Sequence, residues 1–301
     1  MHPMMKSSDH MLWAMLAALV VVGLATSLSA KTAMVEMLNL TGARQAAMGE
    51  TAPLFDPDPF NLEYNPAAIV GLNKGRVGFS HNQFIQDRNT STLAAVFPVQ
   101  GVDCGIHVRL SNLGEIEVRD SPSTEPDYIA GAHDFAVKAV AAYHLVDQFQ
   151  AGVSLGWLME KIDIDRASTL AFGMGALYHI RPDLAVHASV ANFGGKVTFR
   201  SEENDPPTIY RAGAGYQWRD LSVSADYVNV KSGEGHVHVG GEYLFEKLLF
   251  LRAGYQTGYD SRNFSAGAGF LYKDFRIDYA FVPYQSDLGN SHRFTLIYSF
   301  K

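Results

Sequence analysis

Between residues 76 and 300 the chain alternates apolar with small or polar side chains about fourteen times over, and turn-forming residues separate the runs. Side chains of an extended strand point to opposite faces in turn, so each run carries one apolar face and one mixed face. The last run shows this most cleanly: Phe294, Leu296, Tyr298 and Phe300 share one face, and Arg293, Thr295, Ile297 and Ser299 share the other. A strand of this kind suits a wall between lipid and a wet lumen.

Strands over 76–86, 90–100, 103–113, 133–146, 149–162, 168–180, 183–194, 207–218, 220–230, 235–246, 248–258, 262–272, 274–283 and 291–300 make fourteen. An even count is what a single-chain outer-membrane barrel generally has. Connections after the even strands are tight, whereas 114–132, 163–166, 196–206, 231–234 and 284–290 are longer and more polar. This sorting of short periplasmic turns from outer loops predicts that both termini lie in the periplasm. Outward positions include Phe135, Val137, Leu170, Phe172, Ile277 and Tyr279, and an interfacial girdle is expected from Tyr143, Tyr178, Tyr216, Trp218, Tyr243, Tyr272 and Tyr298.

Composition narrows the class. The hydrophobic fraction of 47% is ordinary, as it is for barrels whose strands keep one polar face. A net charge of -7 without any Lys or Arg block argues against a nucleic-acid surface. The one cysteine, Cys104, sits in an alternating stretch and cannot form an internal disulfide. The start differs from the rest: Lys6 precedes an apolar run, Met11 to Leu28, and Ser27 and Ser29 are small residues suited to a cleavage site. We read residues 1–29 as a cleaved export signal, with a retained membrane anchor as the competing reading.

Residues 30–75 do not alternate and carry Gly42, Gly49, Pro53, Pro57, Pro59 and Pro66 among small and acidic residues. They are expected to form a compact irregular segment, with 76–301 as the barrel. The polar strand faces collect Arg109, Lys138, Glu160, Arg211, Asp226, His236, His238, Glu242, Arg252, Arg276, Asp278 and Arg293. Unpaired in lipid each charge costs several kcal/mol, so these are assigned to the lumen, as a charged ladder or a water-facing lining. His236 and His238 share a face in a spacing some zinc sites use, but no third ligand is evident. Glycine pairs at Gly173 and Gly175, Gly213 and Gly215, and Gly267 and Gly269 lack the strand-to-helix context of a phosphate loop. They are read instead as room on the inner face for segment 30–75. No nucleophile elbow, HExxH or suitably placed Ser/His/Asp set is apparent, and an outer-membrane lipase or protease with a site assembled from distant strands is the minor alternative. We therefore expect a protein that is not an enzyme and needs no cofactor or metal.

Four stretches, in order, resemble the PorV/PorQ family of outer-membrane proteins within the FadL-like barrel superfamily. They run from Met37 to Gly49, Asn65 to Leu72, Leu113 to Asp120 and Asp278 to Phe294. The resemblance implies an all-β fold, a transmembrane antiparallel β-barrel of about 14 strands with an N-terminal hatch or plug segment inside the lumen. It marks Gly42, Ala43, Arg44, Gly49, Asn65 and Pro66 as hatch motif residues. The last strand, through Tyr298 and Phe300, reads as a terminal insertion signal. Three departures are a proline-rich stretch over 53–64, Lys301 after the terminal aromatic, and short outer loops. The function implied is an accessory subunit for type IX-like protein secretion or surface attachment, with secretion-system or secreted proteins as partners. The alternative is passive transport of small hydrophobic ligands across the outer membrane. Either way the wall is expected to contact outer-membrane lipid and no nucleic acid.

Overall fold

The computed structural model describes residues 33–85, 88–119, 121–199, 202–231 and 233–300. The expected export signal, and residues 30–32 of the irregular segment, lie outside these.

Alternation becomes a closed wall. The first half comprises β1 (Gly75–Gln83), β2 (Asn89–Val99), β3 (Val102–Val118), β4 (Tyr128–Val146), β5 (Phe149–Ile162), β6 (Asp165–Arg181) and β7 (Leu184–Gly194). In the next connection β8 (Val197–Phe199) and β9 (Glu202–Asn204) form a two-stranded sheet of their own. The wall resumes with β10 (Ile209–Trp218), β11 (Leu221–Val230), β12 (Gly235–Phe245), β13 (Leu249–Gln256), β14 (Phe264–Tyr272), β15 (Phe275–Pro283) and β16 (Asn290–Phe300). Each wall strand pairs antiparallel with its neighbours, and β16 returns to β1 in a register that sets Gly75 opposite Phe300. Fourteen strands thus close an antiparallel all-β barrel, with no free edge among them.

The faces sort as the period requires. Phe79, Leu93, Ile106, Val153, Phe172 and Leu251 are exposed on the outside, an apolar band of the kind that lipid covers. Tyr143, Tyr216, Trp218, Tyr243, Tyr272 and Tyr298 are exposed near one end of the wall. Tyr178, expected among them, is instead buried, and its hydroxyl donates to Gln148 Oε1 at 3.3 Å.

At that end every connection is short, from 100–101 to 273–274. Gln100 and Gly101 both hold positive φ, as a tight hairpin turn of the right twist demands. The opposite end departs from expectation in three places. β3 and β4 run on to Val118 and from Tyr128, so the loop expected over 114–132 shrinks. A register shift between Asn112 and Glu115 takes up Gly114 at φ 88°, so pairing continues past the glycine that was read as a loop start. The loop expected over 163–166 is a two-residue turn with Asp163 at φ 55°. The connection over 195–208 carries the β8–β9 hairpin.

Residues 33–74 lie against the inner face. They hold a short helix, Ala43–Ala47, and single 3₁₀ turns at Val35–Leu38, Pro59–Glu63 and Pro66–Ile69. Asp58 and Asn65 cap the last two by accepting from Phe60 N and Ala67 N, and proline follows each cap where its missing N–H is harmless. Ala33 N donates to Asp205 O in the 195–208 connection at 3.1 Å, whereas Gly71 N donates to Asp103 Oδ2 beside the short turns at 2.9 Å. The segment therefore enters at the long-loop end and traverses the lumen to reach β1. Residue 33 and Phe300 thus lie at opposite ends of the barrel, and the expectation that both termini lie on one side falls on residues outside those described.

Candidate functional site

The polar face of the wall meets its counter-charges on the traversing segment. Arg44 donates from Nε to Glu242 Oε2 at 3.0 Å and from Nη2 to Oε1 at 2.7 Å. Glu242 Oε2 also accepts from Arg252 Nε at 2.6 Å, and Arg252 Nη1 donates to Asp278 Oδ1 at 2.8 Å. Arg276 Nε donates to Asp278 Oδ2 at 2.9 Å, its Nη1 to Asp56 Oδ2 at 3.0 Å, and its Nη2 to Asp58. Asp56 Oδ1 accepts from Arg76 Nη1 at 2.8 Å. Arg44, Arg76, Arg252 and Arg276 thus stand against Asp56, Asp58, Glu242 and Asp278, and the formal charges cancel. Cancellation matters because a desolvated ion without its partner costs several kcal/mol.

A second knot lies nearer the long-loop end. Glu50 accepts from Arg262 Nη2 and Arg293 Nη2, each at 3.1 Å, while Arg293 Nη1 donates to Leu40 O at 2.6 Å. Asp226 accepts from Ala52 N at 2.9 Å and Arg211 Nη1 at 2.7 Å, and it lies 3.0 Å from His187 Nε2. Arg211 Nη1 also reaches Glu50 O at 2.7 Å. A third knot joins Glu63 to Thr41 Oγ1 at 2.5 Å and to His107 Nε2 at 3.3 Å. Beside it Arg109 Nη2 donates to Glu36 O at 2.6 Å, and Glu160 Oε2 accepts from Met34 N at 3.3 Å. Lys138 is buried on the same face.

The wall carries the basic members of these knots named from sequence, Arg109, Arg211, Arg252, Arg276 and Arg293. Segment carboxylates meet three of these, Glu63 beside Arg109, Asp56 and Asp58 with Arg276, and Glu50 with Arg293, while Arg211 and Arg252 pair with carboxylates of the wall itself. Strand periodicity could not reveal Glu50, Asp56, Asp58 and Glu63, because they lie in the stretch that does not alternate. Their only signal is the acidic content of that stretch. The wall charges pair with one another and with the segment that lies against them.

Shape complements charge. Ala43 N donates to Thr295 Oγ1 at 2.9 Å and Gly49 N to Ser265 Oγ at 3.1 Å. Asn65 Nδ2 donates to Ala176 O at 3.1 Å, and Pro66 backs onto Gly152. Gly42 and Gly49 hold φ of 95° and 67°, which lets the chain turn into and out of the short helix. A Cβ built on Gly254 falls 1.9 Å from Gly49 N, one on Gly175 falls 2.0 Å from Asn65 Oδ1, and one on Gly267 falls 2.5 Å from Ala47 Cβ. Of the inner-face glycine pairs, Gly175, Gly215 and Gly267 face the segment. Gly173, Gly213 and Gly269 make room for wall side chains, Ser154, Asp226 and Asp278. Apolar contacts complete the fit: Phe60 packs with Ala94 and Ile297, and Leu62 and Ile69 with Val96 and Val140.

Among the cavities bordered by described residues, two lie on either side of the segment. At the short-turn end a space of about 310 Å³ is bordered by Arg44, Phe55, Asp56, Arg219, Leu244 and Phe250. At the long-loop end a space of about 380 Å³ is bordered by Leu38, Leu40, Phe84, Ile85, Ile209, Val228 and Val230, with His236, His238, Tyr259, Arg262 and Tyr284 opposite. His236 and His238 part company here. His238 is buried with Nε2 3.0 Å from Tyr259 Oη, while the His236 ring stacks on Tyr259 with centroids 3.9 Å apart. Burial and the nearby Glu50 carboxylate push the Tyr259 phenol up to about 12, so it remains a hydrogen-bond donor at any physiological pH. No group of three or more His, Cys, Asp or Glu among the described residues is arranged to hold a metal ion.

At the barrel seam Tyr298 faces outward and its ring lies 4.8 Å from that of Phe275, and the Phe300 ring covers Gly75.

No family model matches the chain, and no curated protein matches it. Solved structures do. The CymD monoaromatic hydrocarbon channel is similar with a TM-score of 0.67 at 13% identity, over 89% of this chain and 99% of that one. The Pseudomonas putida toluene transporter TodX gives 0.64 at 12% identity, over 91% and 99%. A Pseudomonas aeruginosa FadL homologue gives 0.60 at 12% identity, over 87% and 98%. At these identities the likeness is one of fold alone, a closed antiparallel β-barrel of the kind these channels have.

Proposed function

We propose that the chain is an outer-membrane barrel that passes small hydrophobic solutes, with residues 1–29 as export signal, 30–75 as hatch and 76–301 as wall. The observation that carries this reading is the pair of cavities separated by the segment over 33–74, one opening toward each end of the lumen. The long-loop cavity falls within the few hundred Å³ that small-ligand sites occupy, and one side of it is aliphatic. The three neighbours described above are a hydrocarbon channel, a toluene transporter and a FadL homologue, which accords with transport and gives no support to secretion. The long-loop end is taken as extracellular. Passage requires the hatch to shift, since its ion pairs and apolar contacts close the mid-lumen.

The test is uptake of labelled toluene by cells whose own outer membrane is a poor route for hydrocarbons. Expression of the barrel is expected to raise the initial rate severalfold without dependence on cellular energy. A rate equal to that of cells with an empty vector overturns the reading.

A secretion or surface-attachment role, suggested by the order of the PorV/PorQ-like motifs, has one structural support. The extended β3–β4 hairpin and the β5–β6 turn leave Ile116, Tyr128, Ile129 and Ile164 exposed at the long-loop end, an apolar surface a protein partner could cover. Co-purification from native membranes that returns secretion or surface proteins supports this second role.

A further inference from the structure

The long-loop cavity has one chemical asymmetry that hydrocarbon passage does not need. Its charged groups are already satisfied: Arg262 Nη2 sits 3.1 Å from Glu50 Oε2, Arg211 Nη1 sits 2.7 Å from Asp226 Oδ2, and Arg88 pairs with Glu36. An incoming carboxylate finds these arginines occupied, and it passes the exposed Glu234 carboxylate at the mouth. His238 is committed too, with Nε2 against the Tyr259 hydroxyl at 3.0 Å.

His236 is different. Its Nδ1 lies 3.0 Å from Thr257 O, and a carbonyl oxygen only accepts, so Nδ1 carries the proton. In the neutral ring Nε2 is then a bare acceptor, and no described residue donates to it. The ring is half-buried, borders the cavity and is held by stacking on Tyr259 with planes 15° apart. Phe84 and Tyr284 add further aromatic faces to the same space. The cavity thus offers aromatic and aliphatic walls with one fixed acceptor.

We infer that this cavity selects neutral aromatic solutes carrying a single hydrogen-bond donor, the phenol class, over bare hydrocarbons and aromatic carboxylates, and that His236 Nε2 reads the donor. The inference rests on the transport reading and names the substrate class of that same route. A ligand O–H that pairs with Nε2 replaces a bond to water, so the gain is that of one net hydrogen bond, about threefold to tenfold in affinity. A carboxylate of the same shape loses because it brings no donor and must shed its hydration without a free cation to meet it.

The experiment is isothermal titration of the purified full-length barrel in detergent with p-cresol, toluene and p-toluate, each corrected for partition into protein-free micelles. The expected result at neutral pH is that p-cresol binds about threefold to tenfold tighter than toluene, with p-toluate weakest. His236→Phe keeps an aromatic ring against Tyr259 and removes the acceptor, so it is expected to bring the ratio of p-cresol to toluene affinity down to about one. Tyr259→Phe keeps both the stack and Nε2 and is expected to retain the preference. Equal affinities for p-cresol and toluene in the unmodified barrel overturn the inference, as does a preference that survives His236→Phe. In either case toluene binding leaves the transport reading standing. Retention of none of the three above micelles alone overturns both.

Discussion

The Arg44 guanidinium on the traversing segment meets the Glu242 carboxylate on β12 fork to fork, with contacts of 3.0 and 2.7 Å, and both side chains are buried. Residues 198 apart in sequence are thereby fixed relative to each other inside the wall. Removal of one partner from such a pair strands the other and costs about 3–5 kcal/mol. Glu242→Gln is expected to lower the thermal midpoint of the purified barrel by several degrees and to expose the segment to trypsin. The double variant Arg44→Met, Glu242→Met is expected to lose less than the two single losses combined, because each single change already breaks the same contact. Additive losses in that cycle would show that the two residues act independently.

The glycines of β12 and β13 predict a contrast of position. At Gly254 a Cβ meets the Gly49 backbone at 1.9 Å, and backbone cannot swing away as a side chain can. At Gly241, on the adjacent strand, the nearest atoms lie 3.9 Å off. Gly254→Ala is therefore expected to displace the segment and raise single-channel conductance in planar bilayers, while Gly241→Ala leaves both conductance and thermal midpoint near the starting value. If both variants conduct alike, the close approach at Gly254 does not position the segment.

These two cases show what the sequence made legible. Phe294, Leu296 and Tyr298 advertise their strand because exposure outside and packing inside impose a period of two on each strand whatever its partner is. The same logic located Gly175, Gly215 and Gly267 on the inner face. It could not say that Gly173, Gly213 and Gly269, two residues away on the same face, serve neighbouring wall side chains instead, since that depends on cross-strand register. Glu50 and Glu63 stayed hidden for a different reason. Their partners Arg293 and His107 lie 243 and 44 residues away, and an irregular segment has no period from which a facing direction can be read.

The connection over 195–208 predicts a pH response at the long-loop end. Asp205 accepts from Lys196 Nζ at 2.5 Å and from Lys231 Nζ at 2.7 Å. These two hydrogen bonds hold its carboxyl below the ordinary range, and the Asp205 partner raises Lys196 above its own. A depressed carboxyl contributes order that is complete above its unfolded value and is lost as pH falls through the folded one. A raised lysine contributes order that is complete below its unfolded value and is lost as pH rises through the folded one. Amide exchange in the β8–β9 hairpin, corrected for intrinsic rates, is thus expected to be slowest and flat from about pH 4 to about pH 10 and to quicken outside those limits. Asp205→Asn is expected to abolish the acid limb and speed exchange throughout the plateau. An unchanged profile in that variant would leave the two lysines without a structural role.

Phe300 separates stability from assembly. Its ring lies over Gly75, so closely that a Cβ there would come within 2.4 Å of it, and the two residues face each other where β16 meets β1. The ring is only partly covered, so Phe300→Ala is expected to cost the folded barrel about 1–2 kcal/mol, less than a core phenylalanine. If the terminal strand also carries the insertion signal, the same change is expected to lower the fraction of chain recovered as heat-modifiable barrel in the outer membrane severalfold. A loss of that size exceeds what a barrel several kcal/mol more stable than its unfolded form would show from stability alone. Phe300→Tyr keeps an aromatic ring over Gly75 and is expected to restore both readouts. Recovery that tracks the thermal midpoint across Ala, Leu and Tyr at this position would assign Phe300 to closure of the seam and leave recognition to the rest of β16.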